Sequence, residues 1–253
     1  MNKKRIIARI DVKNDYVIKG IHLEGLRKVG NPNEMAIKYY NQGVDEIIFM
    51  DAVAAYYDRN SLTNIIAKAC ENVFIPITVG GGIRKIEDIQ TALNAGADKI
   101  AINTKAVQNP NFITKASEIF GSQCIVSSID AKKIAENKWE VYTDNGREPT
   151  GLDVVEWAQK VEELGAGEIM ITSIDKEGTK KGFDQDLYKM VSEVVTIPII
   201  CCGGAGNKKD VADLFLNKSI DAVAIASLFH YGIVPINVLK DYLINEKKIP
   251  IRL

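Results

Sequence analysis

The run Arg5-Ile-Ile-Ala-Arg-Ile-Asp11 decides how this chain is read, together with its echo Cys124-Ile-Val-Ser-Ser-Ile-Asp130. Each is a short apolar stretch with β-branched residues that ends on an aspartate, the pattern of a buried strand stopping at a carboxylate. Side chains alternate between the faces of a strand. Arg5, Ile7, Arg9 and Asp11 therefore share one face, and Cys124, Val126, Ser128 and Asp130 share one face of the other. A single aspartate at a strand end is as readily the cap of the next turn. Two of them, 119 residues apart in a chain of 253, point to a paired active-site arrangement.

Outward from these two runs, short apolar strands alternate with amphipathic helices from end to end. Strands are predicted at Ile6–Asp11, Glu46–Asp51, Ile75–Val79, Lys99–Asn103, Ile125–Asp130, Glu168–Ser173, Ile197–Cys201 and Ala222–Ala226. Helices are predicted near 33–42, 60–71, 86–95, 110–119, 152–164, 185–195, 207–217 and 235–245. Near-continuous apolar strands in β/α alternation imply a parallel sheet covered by helices. Eight such units favour closure into a (β/α)8 barrel, one domain over 1–253, rather than an open sheet with bare edges. Active sites of barrels lie on the loops after the strands. The longest connections, the polar stretch 14–31 and the stretch 132–147, follow the two aspartates. The second is expected to fold as a small hairpin around Asn145-Gly146.

Composition narrows the function classes. The chain is 46% hydrophobic and 26% charged, ordinary for a soluble globular protein. A formal net charge of −1 gives no reason to expect nucleic acid or an anionic membrane as partner. No signal peptide or membrane span is expected. The four cysteines, Cys70, Cys124, Cys201 and Cys202, lack metal-site spacing and read as reduced, mostly buried thiols of a cytoplasmic protein. Only His22 and His230 are present, which argues against histidine-based zinc sites and a Ser-His-Asp triad. Neither a metal nor a cofactor is implied.

Features recur at half the chain length. Gly82 and Gly204 are 122 residues apart, and Thr104 and Ser227 are 123 apart, close to the offset of the aspartates. That is a two-fold pseudo-symmetric barrel with halves of about 1–123 and 124–253. Gly80-Gly81-Gly82 and Gly203-Gly204-Ala205-Gly206 each lie between a predicted strand and a helix, where backbone N–H groups and the helix dipole favour an anion. Each is followed one unit later by a short polar end, Asn103-Thr104 in one half and Ser227 in the other. Two phosphate cradles across one mouth, with an aspartate beside each, suit a long substrate carrying a phosphate at both ends.

With these motifs in place, the chain resembles the cyclase subunit of imidazole glycerol phosphate synthase, and more broadly the phosphate-binding barrels of histidine biosynthesis. The resemblance covers essentially the whole length. It is carried by Asp11-Val-Lys, Lys19-Gly20, Asp51, Thr78-Val-Gly-Gly-Gly-Ile83, Ile102-Asn-Thr104, Phe120-Gly-Ser-Gln123, Ile129-Asp-Ala-Lys132, Thr172-Ser-Ile-Asp175, Gly178-Thr179 and Gly203-Gly-Ala-Gly206. It implies the reaction of ammonia with a doubly phosphorylated formimino-carboxamide ribonucleotide, giving imidazole glycerol phosphate and an aminoimidazole carboxamide ribonucleotide. By the same resemblance Asp11 and Asp130 match the general acid/base pair, Lys19 a residue that closes over substrate, and Gly178 a phosphate-binding position. The resemblance also implies a heterodimer with a glutaminase that supplies ammonia through the barrel. Arg5, Glu46, Lys99 and Glu168 match the charged gate at its base, and Asp98 a position that contacts the glutaminase. Strand parity agrees, since all four gate residues sit at strand starts. A salt-bridged plug of the barrel is the structural alternative.

Three departures stand out. Arg9 replaces a small or uncharged residue two before the aspartate, and a buried guanidinium requires a partner, expected to be a carboxylate or anion. Cys202 stands where the family has serine, which as a weaker donor is expected to cost a phosphate cradle about 1 kcal/mol. Glu177 replaces an aspartate before Gly178. These changes keep a second function open, an ammonia conduit serving amidation of a surface-polysaccharide sugar. A phosphosugar isomerase is third, disfavoured because an isomerase has no use for a gate.

Overall fold

The computed structural model describes residues 3–54 and 62–252. Eight parallel strands close on themselves: β1 (Arg5–Lys13), β4 (Glu46–Asp51), β5 (Ile77–Gly80), β6 (Lys99–Ile102), β7 (Ile125–Ala135), β10 (Glu168–Ser173), β11 (Ile199–Cys202) and β12 (Ala222–Ile225). Pairing runs in that order round the ring, and β12 returns to β1 with Arg5 opposite Ala222. The fold is a (β/α)8 barrel. Helices cover the outside, and the first two residues of the helix expected at 60–71 fall outside the described residues, its visible part being Thr63–Cys70.

Alternation along the strands divides the core in two. Ile6, Ala8, Ile10, Phe49, Ile129 and Ile171 face outward and pack beneath the helices. Ile7, Ile48, Ala101, Val126, Met170, Ile200, Ala222 and Ala224 fill the lumen. Each buried aliphatic side chain contributes roughly 1.5–3 kcal/mol, and these inward-facing residues form a second, smaller core inside the ring.

Two hairpins rise from the mouth. β2 (Tyr16–Ile21) and β3 (Glu24–Gly30) extend β1, while β8 (Lys138–Thr143) and β9 (Glu148–Asp153) extend β7. Each hairpin feeds a helix through a side-chain cap. Asn31 accepts from the Asn33 and Glu34 amides, and Asp153 from those of Val155 and Glu156. The polar loop expected over 14–31 is thus a hairpin. Its turn uses His22 and Leu23 at φ 53° and 64° in place of the Asn-Gly pair that marks such turns. In the other hairpin, Glu136 and Asn137 connect β7 to β8, and Asn145-Gly146 turns β8 into β9.

Two short helices, Thr104–Gln108 after β6 and Ser227–His230 after β12, escape the periodicity reading because four or five residues carry too little pattern. They occupy equivalent places in the two halves.

Candidate active site

Asp11 on β1 and Asp130 on β7 are both buried at the mouth end of the barrel. The strands do not stop at them, as the sequence suggested. They run on because antiparallel partners take up their backbone groups: Val12 pairs with Val17, and Asp130 with Tyr142.

The two carboxylates sit in different electrostatic surroundings. Arg9 Nε donates to Asp11 Oδ1 at 2.8 Å, and Lys19 Nζ lies 3.7 Å from Oδ2. Burial pushes the Asp11 carboxyl up, but these cations outweigh it and hold the group below the usual carboxylate range. Asp130 receives the Asn103 Nδ2 donor at 3.0 Å. Burial pushes it up to about 6; the nearby Arg9 opposes the rise and the Asp11 charge adds to it. His230, whose Nδ1 meets the Tyr39 hydroxyl at 2.7 Å, is pushed down to about 4 by burial and stays neutral.

Arg9 finds the expected carboxylate in Asp11. It also donates from Nη1 to Thr172 Oγ1 at 2.8 Å and to Cys202 Sγ at 3.3 Å. Thr172 is on β10 and Cys202 on β11, three and two places round the ring from β1, so the side chain crosses the lumen. Cys202 therefore does not weaken a phosphate cradle as anticipated. Its thiol points inward, in step with Ile200, and meets Arg9.

Beside Asp130 opens a cavity of about 330 Å³ lined by Gly81, Gly82, Asn103, Thr104, Arg84 and Asp144, among others. Gly81 has φ +91°, and a Cβ there would lie 2.3 Å from the Asp51 carbonyl oxygen, so the turn requires glycine. Asn103 also donates to the Tyr142 carbonyl at 3.1 Å, while its own Oδ1 is buried with no donor among the described residues. Thr104 Oγ1 accepts from the Asp144 amide at 3.2 Å. Arg84 and Asp144 escape the sequence reading. Arg84 had a signal, a cation two residues after the glycine run. Asp144 had none, since it arrives on the second hairpin.

The opposite cradle is different. Gly178, Gly204 and Ser227 do come together, but they enclose only about 10 Å³. The first hairpin covers them. A Cβ on Gly178 would lie 2.3 Å from the Gly20 carbonyl oxygen, and His22 bonds to the loop after β10 through both its amide and its ring. Lys19 is buried here in an ion pair with Glu177, away from the first cavity.

At the base, Arg5, Glu46, Lys99 and Glu168 form one closed ring. Arg5 bonds both glutamates, at 2.8 Å to Glu46, and Lys99 meets Glu46 at 3.2 Å and Glu168 at 2.9 Å. Despite burial, Arg5 and Lys99 draw Glu46 below its usual range. All four cysteines are free thiols; Cys201 and Cys202 are buried, Cys70 and Cys124 only partly. Among the described residues, no group of three or more His, Cys, Asp or Glu side chains is arranged to hold a metal ion, and no helix is long and apolar enough to cross a membrane.

The barrel has known counterparts. The model of the histidine biosynthesis protein family matches residues 5–235. The chain belongs to that family. It is 58% identical over 210 residues to the imidazole glycerol phosphate synthase subunit HisF of Legionella pneumophila, a match covering 83% of this chain and 99% of that protein. Within the family it is therefore of the HisF type.

Proposed function

We propose that this chain, a HisF-type cyclase subunit, uses Asp130 as its proton carrier, with Asp11 as the second carboxylate paired to Arg9 behind it, and acts on a formimino-carboxamide ribonucleotide with a phosphate at each end. The observation that carries the reading is the cavity beside Asp130. There a carboxyl group with a pKa pushed up to about 6 meets a glycine-turn cradle of Gly82, Asn103 and Thr104. A group of that pKa both accepts and returns protons near neutral pH. Gly178, Gly204 and Ser227 form the second phosphate site once the hairpin carrying Lys19 lifts from Glu177.

Ammonia comes from a glutaminase subunit docked at the base, near the exposed Asp98, and enters through the ring of Arg5, Glu46, Lys99 and Glu168. Such a ring lets a neutral molecule pass when one ion pair opens. No cofactor is required by this chemistry.

The test is turnover of the formimino ribonucleotide with ammonium salts. The wild type should convert it, and Asp130→Asn should lose roughly 10²–10⁴-fold. A second reading, an ammonia conduit for sugar amidation, draws support from Arg9 crossing the lumen and from the covered second cradle. A wild type inert at every ammonium concentration would exclude the cyclase and turn the reading to the conduit.

A further inference from the structure

The expected site has two carboxylates facing the substrate. The wall of the open cavity instead carries Asp130 and Arg9, and Asp11 is not part of it. Asp11 holds the Nε edge of the guanidinium, with one oxygen on Arg9 Nε and the other towards Lys19. Three contacts pin Arg9: Asp11, Thr172 and Cys202. They occupy Nε and Nη1. Nη2 has no hydrogen-bond partner among the described residues. A fully charged group, 2% exposed, thus keeps a donor in reserve where the barrel wall meets the cavity.

We propose that Arg9 is a catalytic residue of this chain: through Nη2 it binds a carbonyl oxygen of the substrate on which negative charge develops, opposite Asp130. The proposal rests on the cyclase reading and deepens it. A guanidinium fixed by three contacts is preorganised, so its interaction with an oxyanion costs little rearrangement. As ammonia adds to the carbonyl carbon, a C–N bond forms and the C=O π pair moves onto oxygen beside Arg9. Asp130 takes a proton from the new ammonium nitrogen and returns it to that oxygen. The product is a neutral carbinolamine and the carboxylate is regenerated. Lysine would not replace arginine here, because one ammonium cannot hold Asp11, Thr172 and an oxyanion in one plane.

Binding of the formimino ribonucleotide without ammonium, by calorimetry, and ammonium-dependent kinetics test this on wild type, Arg9→Gln, Arg9→Lys and Arg9→Gly. Arg9→Gln should bind about tenfold or more weakly and lose about 10²–10³-fold in kcat. Arg9→Lys should recover little. Guanidinium at millimolar concentration should restore part of the Arg9→Gly activity while leaving the wild type unchanged. Circular dichroism confirms that each variant is folded. Binding and kcat of Arg9→Gln within twofold of a working wild type, or folded Arg9→Gly that guanidinium leaves inert, would overturn the assignment alone. A wild type that neither binds nor converts the ribonucleotide would overturn the cyclase reading and this inference with it.

Discussion

The two sides of the barrel mouth are built from equivalent parts and end in opposite states. On one side Gly81, Gly82, Asn103 and Thr104 border about 330 Å³ of open space next to Asp130. On the other, Gly178, Gly204 and Ser227 border about 10 Å³. The glycine turns are alike, so they do not make the difference. The hairpins do. The second hairpin is anchored outward by Trp139, which is fully buried and donates to Asp184 at 3.0 Å. The first folds across the mouth, its Val17, Ile18 and Lys19 buried and Lys19 locked to Glu177. Pseudo-symmetry supplies two such turns, and the contacts of the first hairpin with the loop after β10, namely the Lys19–Glu177 ion pair and the two hydrogen bonds of His22, cover one of them.

The same contrast runs through the carboxylates, and it can be broken. Asp11→Asn should have the largest effect on stability, because it leaves the buried Arg9 without its anion. The expected cost is about 3–5 kcal/mol by urea unfolding at pH 7. Asp11 is held below the ordinary carboxylate range, so its contribution is present above the unfolded pKa and lost as pH falls through the folded value. A cost under about 1 kcal/mol would show that the pairing with Arg9 is not what holds Asp11.

Asp130 should behave in the opposite sense. Its carboxyl is raised from 3.8 to about 6, so between those values the folded state binds more protons than the unfolded one, and stability falls as pH rises. Above pH 6, Asp130→Asn should therefore stabilise the chain by about 2–3 kcal/mol while removing activity. A destabilised Asp130→Asn would mean that its charge is accommodated after all.

The smallest effect sharpens the hairpin comparison. Glu177→Gln removes the charge that holds Lys19 and should cost about 2 kcal/mol. Amide exchange should quicken in β2 and β3 while β8 and β9 are unchanged. Equal acceleration in both hairpins would mean that the closed side is not held by this pair.

Legibility of the site followed the range of the interactions involved. The base ring could be read from strand parity, since Arg5, Glu46, Lys99 and Glu168 all start inward-facing rows. The need of Arg9 for an anion could be read from its burial. That the anion is the aspartate two residues on, with Thr172 and Cys202 completing the grip, could not. Nor could the first hairpin, whose turn lacks the usual residues, or the arrival of Asp144 at Thr104.

By itself, then, the sequence determined the barrel, the placing of both aspartates at its mouth and the repeat that builds two cradles, because period-two and helical patterns are local and set which face each side chain takes. Tertiary structure decided which cradle is open and which charged group looks into it. Those outcomes rest on side-chain reach between segments as far apart as Lys19 and Glu177, 158 positions along the chain, and no local pattern encodes such a distance.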